Sequence, residues 1–404
     1  MPPSEFAAMV ERVLTDSYSH TEEQVYGRLE DWDTSLVEDM SRAFAGRAQF
    51  HADISRWNTS SVVSMREMFQ GATAFNADLS RWDTSRVVDM RGMFDGAAAF
   101  NQDIGGWDTR RVADMAFLFR GATAFAPPTL DAWNVEAVVT FEGMFQGAKN
   151  FNGTIGSWNM YSAASVAFLF CDAATFNRAI GNWYVSGVED MRGMFSGAKS
   201  FNQPIGRWNT HSVTSMADMF LRARHFDQDL SRWRVSAVRD MSGMFMHAEA
   251  FNQPLGEWDV GQVRSMAYMF CGARVFNQPL YDWNTGRVET MEGMFARGGE
   301  EAAGGMSFDR DLTHWDTRAV VSMRRMFFRS RAFNGNVRDW DVSGVQDMTD
   351  MFAGADAFRQ SLARWRLPPH ILDPRATLVG GDRDSFRGEL PARRTTTTSY
   401  GYLT

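Results

Sequence analysis

The sequence predicts an α/β repeat solenoid in which each coil contributes one short helix and one short extended segment. Three observations predict it. All 14 tryptophans stand in one register, at Trp32, Trp57, Trp82, Trp107, Trp133, Trp158, Trp183, Trp208, Trp233, Trp258, Trp283, Trp315, Trp340 and Trp365, 25 residues apart except for 26 before Trp133 and 32 before Trp315. Other large residues keep that register: Met65 and Met216 lie eight after a Trp, Met194-Phe195 and Met244-Phe245 eleven and twelve after, Phe75 and Phe201 eighteen after, and Ile54, Ile205 and Val337 three before the next. A Pro and a Gly, Pro204 with Gly206 and Pro254 with Gly256, then interrupt the run between one Phe and the next Trp. A unit this short cannot bury its own large residues, so neighbours must stack and share a continuous core.

The helix is read from the steps of three and four that separate the Val, Met, Met-Phe, Ala and Phe positions, which is one helical face. Thr84 and Ser85, or Thr210 and Ser212, precede it as caps, and Asp89, Asp190, Asp240 and Asp347 fall in its first turn, where the dipole favours an acid. Gly71, Gly96, Gly147 and Gly197 follow the Met-Phe pair and suit a helix end. The segment containing Pro204 and Gly206 cannot continue that helix and is read as extended, anchored by Ile205 and Trp208.

Around this core the chain divides into four parts. Residues 1–28 form an N-terminal helical cap, read from Ser4 followed by EFAAMVERVL, and 29–366 hold about 13 repeats. Residues 367–390 form a C-terminal capping extension, and 391–404 (PARRTTTTSYGYLT) a disordered tail. Two insertions break the period, one residue at Ala126-Pro127-Pro128-Thr129 and seven in the Gly-rich acidic loop 296–307, both expected at the surface.

The motif W-D-[TV]-S-x-V-x-D-M-x-x-M-F-x-G-A-x-x-F-N, seen from Trp82 to Asn101 and from Trp340 to Phe358, resembles the repeat of the BspA-like leucine-rich-repeat surface proteins, in its mycoplasma-type form of unknown function. The resemblance implies leucine-rich-repeat-like coils and a role in binding or adhesion. It implies no catalytic residues, because the motif is a core motif.

Composition points the same way. With 44% hydrophobic and 22% charged residues the chain is expected to form a core, and a net charge of −8 argues against nucleic acid as a partner. Residues 1–28 lack a charged start followed by an apolar run, so a cytoplasmic or otherwise intracellular location is expected, and no apolar stretch is long enough for a membrane span. Cys171 and Cys271 occupy equivalent places four coils apart, roughly 19 Å at the sheet spacing, so they are expected as free thiols.

No cofactor, metal site or catalytic residue is predicted. The histidines share no column in adjacent coils. The acid after each Trp (Asp33, Asp83, Asp108, Asp259, Asp316, Asp341) could form a calcium-binding stack, but Asn58, Asn134, Asn209 and Asn284 replace it freely, which favours turn bonding to the backbone. The Asn after the second Phe, as in Asn76, Asn101, Asn202 and Asn252, reads as an internal ladder.

Candidate contact residues come from the variable positions. The residue before Trp takes both charges, as in Arg56, Arg81, Arg207, Arg232, Glu257 and Asp282, and forms either a polarised docking strip or a solvated edge. Ten residues after Trp, Phe117, Phe168 and Tyr268 are interface anchors if exposed, or packing if they fill space left by Gly in adjacent coils. The expected function is non-catalytic protein binding or scaffolding along the repeat face. The alternative is a cell-surface adhesin or carbohydrate-binding protein, with a glycan as partner.

Overall fold

A computed structural model describes residues 5–15, 20–298, 305–380 and 387–391. Residues 392–404 of the expected tail and 299–304 of the Gly-rich loop lie outside the described residues, as does the expected cap residue Ser4. The chain begins with α1 (Phe6–Leu14) and α2 (His20–Tyr26), followed by a single 3-10 turn at Leu29–Asp31; α3 (Pro374–Val379) comes after the last Trp.

The expected helix in each repeat is absent. Among the described residues no helix follows any Trp within the repeats, and strand pairing is limited to isolated single-residue parallel bridges, one column from Asp39–Ser64 to Ser322–Asp347 and, outside it, Thr129–Thr154 and Ser361–Glu389. The chain is therefore not an α/β repeat solenoid, and its coils are built from consecutive turns.

The coil after Trp183 shows how. Met191, Gly193, Phe195 and Gly197 donate their backbone N–H groups to Ser215, Ala217, Met219 and Leu221 of the next coil, at 2.7–3.1 Å. The amides between them turn back on their own coil: Met194 donates to the Met191 carbonyl at 3.3 Å, Ser196 to Gly193 at 3.0 Å and Ala198 to Phe195 at 3.0 Å. Every second amide thus joins two coils, while those between them close four-residue turns.

Left-handed residues make this ribbon incompatible with a helix. The residue ten after Trp has a positive φ in every coil, from Arg42 (59°) through Gly193 (57°) to Asp350 (58°), and most coils repeat it four residues later, as at Gly71 (69°) and Gly197 (70°). A right-handed helix needs φ near −63° throughout. The steps of three in the apolar pattern are the turns themselves, and the glycines read as helix ends are their left-handed corners.

The polar columns stitch the coils together. Thr84 and Thr210, expected as helix caps, instead donate their hydroxyls at 3.0 Å to the carbonyls of Asp108 and Arg234 in the next coil. Asp89, Asp190, Asp240 and Asp347 accept from the amide two residues on at 2.8–3.0 Å, as Asx turns rather than helix-dipole partners. Asn76, Asn177 and Asn202 form the expected ladder, each Oδ1 accepting from the equivalent backbone amide one coil on at 2.9–3.0 Å.

The core is a set of parallel columns. Tryptophans stack along one, Trp107 on Trp133 with ring centroids 6.4 Å apart and planes at 0°, and each coil's two Phe rings stack 3.8–4.5 Å apart, as Phe195 does on Phe201 at 4.0 Å. Tryptophan suits its column because it brings a donor as well as a plate. The Ile180 carbonyl accepts from the Trp183 amide at 3.1 Å and from the Trp208 indole at 3.1 Å, closing one coil and holding the next. Phe6 of α1 lies edge-on to Trp32 and Trp57, at 6.5 and 5.7 Å, and covers the first coil. At the other end Asp350 and Phe352 donate to Thr377 and Leu378 of α3, whose Leu378 and Val379 are buried.

Candidate docking surface

The residue before each Trp is exposed because the chain alternates there: Arg207 out, Trp208 in, Asn209 out, Thr210 in. Stacking turns this position into a row of exposed side chains. Arg207, Arg232, Glu257 and Asp282 come from four consecutive coils and are all exposed. Among the described residues, none of the four forms an ion pair. Further along the same row Asp339 and Arg364, also one coil apart, do pair at 3.3 Å.

Arg56 and Arg81 belong to the row but lie apart from this group, separated from Arg207 by Gly106, Ala132, Ser157 and Asn182. Each has an acid three residues before it, as Arg232 has Asp229. Asp53 and Asp78 are held below the usual carboxylate range, chiefly by hydrogen bonds from Ser55 and Ser80, with a further contribution from Arg56 and Arg81.

Beside the row runs a groove. Two residues before Trp, three consecutive coils carry Gly156, Gly181 and Gly206. A Cβ on Gly181 would run into the Pro204 carbonyl and one on Gly206 into the Asp229 carbonyl, so the close approach of the next coil requires a bare backbone. These glycines form the floor of a hollow of about 570 Å³ walled by Ala179, Pro204, Arg207 and Arg232. A second hollow of about 480 Å³ lies between Arg207, Asn209, Arg232 and Arg234. Sequence reading missed Arg234 and the glycine floor, although the run of glycine at this one column is visible once the repeats are aligned.

Phe117, Phe168 and Tyr268 stand eleven positions further round the coil, and the structure does not bring them to this row. Each occupies the left-handed position and covers a glycine. A Cβ on Gly143 would come within 2.6 Å of the Phe117 ring, and on Gly193 or Gly293 within 2.5 Å of the Phe168 or Tyr268 ring. From Glu67 to Gly293 the column alternates side chain and glycine: Glu67, Gly92, Phe117, Gly143, Phe168, Gly193, Asp218, Gly243, Tyr268, Gly293. Where two side chains follow each other they carry opposite charge and pair, Arg42 with Glu67 at 3.0 Å and Arg325 with Asp350 at 3.4 Å. Phe117 and Phe168 are half-buried over their glycines, whereas Tyr268 covers Gly293 and is still 37% exposed. Phe117 is further held by Arg91 and Arg120, 4.9 and 4.5 Å from its ring centre. Burial and a 2.5 Å hydrogen bond to Glu292 push the Tyr268 hydroxyl up to about 12.

The acids after Trp form Asx turns: Asp33, Asp83 and Asp341 accept from Ser35, Ser85 and Ser343 amides at 2.9–3.0 Å, and Asn58 does the same for Ser60 at 3.1 Å. The serine hydroxyls and amides hold Asp33 and Asp341 below the usual carboxylate range. Among the described residues no three His, Cys, Asp or Glu side chains converge on a metal-sized site. Cys171 and Cys271 are free and buried, and burial pushes their thiols up to about 11 and about 12. One further surface feature went unread in the sequence. Tyr161 and Tyr184, 66% and 52% exposed, stack across adjacent coils at 5.8 Å and 19°.

The chain matches the family described as "Mycoplasma protein of unknown function, DUF285" over residues 13–129, 118–232, 203–303 and 299–371. It belongs to that family. The four matches together span the coils from Trp32 to Trp365. A solved structure titled "Crystal structure of TLR13-ssRNA13 complex" is similar at 10% identity and a TM-score of 0.23, covering 81% of this chain. The chain spans about half, 49%, of the length of that structure's chain. No curated protein matches. Among the described residues no helix is long and apolar enough to cross a membrane.

Proposed function

We propose that this chain is a non-catalytic binding or scaffold protein that docks a protein partner along the row preceding its tryptophans. The observation that supports the reading is the run Arg207, Arg232, Glu257, Asp282, four exposed charges without ion pairs among the described residues, set beside a glycine-floored groove of about 570 Å³. Elsewhere the polar columns are engaged in bonds that hold the coils together, as with Thr210 to Arg234 and Asn202 to Asp227. A row that changes sign halfway selects a partner of matching polarity and rejects one in the wrong register. The test is affinity purification of the native protein from its own cells beside the R207E/R232E variant. Loss of a stoichiometric partner is the expected result, and unchanged recovery removes the row from the reading.

A second reading, adhesion through carbohydrate, is favoured by Tyr161 and Tyr184. Their exposed, stacked rings offer a flat apolar platform with hydroxyls at its edge. Binding on a glycan array that disappears in Y161A/Y184A and survives in R207E/R232E would support this reading over the first.

A further inference from the structure

We propose that the row is an interface between two copies of this chain, paired antiparallel about a two-fold axis between the coils of Trp233 and Trp258. The proposal rests on the reading of the row as a docking surface and names its occupant. Arg207, Arg232, Glu257 and Asp282 present two positive and then two negative charges at successive coils. Such an order is its own complement after a half-turn. Arg207 meets the second copy's Asp282, Arg232 meets its Glu257, and symmetry repeats both contacts. Moving the axis by one coil destroys the match, because it sets Arg207 against Arg232 in one direction and Glu257 against Asp282 in the other.

Exposed ion pairs contribute little on their own, so the interface needs apolar burial as well. The column two residues before Trp provides the relief for it. That column is glycine at Gly156, Gly181 and Gly206, where the groove lies, and tyrosine at Tyr281, which is 47% exposed. The half-turn that matches the charges exchanges the coil of Trp208 with the coil of Trp283. It therefore brings Tyr281 of each copy to the groove at Gly206 of the other, between Pro204 and the Arg207 stem. The charge order selects the axis, and the surface relief on a separate column accommodates it.

Analytical ultracentrifugation of the full chain tests this. The wild type is expected to double its sedimenting mass as concentration rises through the micromolar range, with salt weakening the pair. R207E/R232E carries four negative charges along the row and E257R/D282R four positive, so each alone is expected to stay monomeric, and an equimolar mixture to recover the two-chain species. Recovery in the mixture shows that both variants are folded. Y281G is expected to weaken pairing without changing the charge pattern. A wild type that stays monomeric into the millimolar range, or a mixture that stays monomeric, overturns the proposal. If in that case R207E/R232E still loses a heterologous partner in the purification above, the binding role stands and only the homotypic pairing falls.

Discussion

Gly193→Ala probes the alternating left-handed column, and its cost has two separable parts. At φ 57° an alanine carries the backbone penalty of a left-handed residue, about 1–2 kcal/mol. Its Cβ would also lie within 2.5 Å of Phe168 Cε1, so the ring must tilt or the coils must part, an overpacking cost of about 1–3 kcal/mol. The expected loss is therefore about 2–5 kcal/mol, felt at the bonds from the Phe168 amide to Arg192 and from the Gly193 amide to Ala217. In a Phe168→Ala background the ring is gone and only the backbone part remains. A double-mutant cycle should then show a coupling of about 1–3 kcal/mol. Gly71→Ala is the internal control, with φ 69° but its nearest neighbour, Gly46 Cα, at 3.7 Å, and it should cost only the backbone part. Because a long repeat array need not unfold in one step, amide hydrogen exchange around 168–217 is the assay, each 1.4 kcal/mol being about a tenfold loss of protection. Equal costs for Gly193→Ala with and without the Phe168 ring would refute the shared-space argument.

Other consequences follow from single contacts. Trp208→Phe removes the indole donor to the Ile180 carbonyl, which keeps the Trp183 amide, and leaves a small cavity, so destabilisation of about 2–3 kcal/mol is expected in denaturant unfolding. A midpoint unchanged from wild type would show that the indole bond holds nothing. Cys171 and Cys271, with thiols raised to about 11 and about 12, should resist a thiol reagent in the native protein and react after denaturation. Fast labelling of the native chain would contradict their burial. His247 has its pKa lowered by burial and then by Arg222, so the unfolded chain takes up the proton more readily. Its contribution is complete above the unfolded value of about 6.5 and is lost as pH falls through the lower folded value. Thermal midpoints should therefore fall less between about pH 7 and about pH 5 in His247→Asn than in wild type, asparagine being tolerant of φ 57° at this position; parallel pH profiles would exclude His247 as a source.

The sequence by itself determined the period, the membership of each core column, and the use of Asn and Asp side chains as turn and ladder acceptors. It could do so because each column repeats one residue type for one physical reason: Trp208 and Trp233 bury alike, and Asp33 and Asn58 interchange because both accept from the amide two residues on. It also held the alternation of side chain and glycine from Glu67 to Gly293, which gives Phe117, Phe168 and Tyr268 each a bare glycine to cover. The backbone path was left to the tertiary structure. Apolar residues three and four apart satisfy a helix and a ribbon of four-residue turns equally well. What separates them is where alternate amides bond, and those partners lie in the next coil, as Gly193 does to Ala217, beyond the reach of any local pattern. The same holds for the charged row. That Asp339 pairs with Arg364 while Arg232 and Glu257 do not depends on side-chain placement across stacked coils, which only the assembled fold decides.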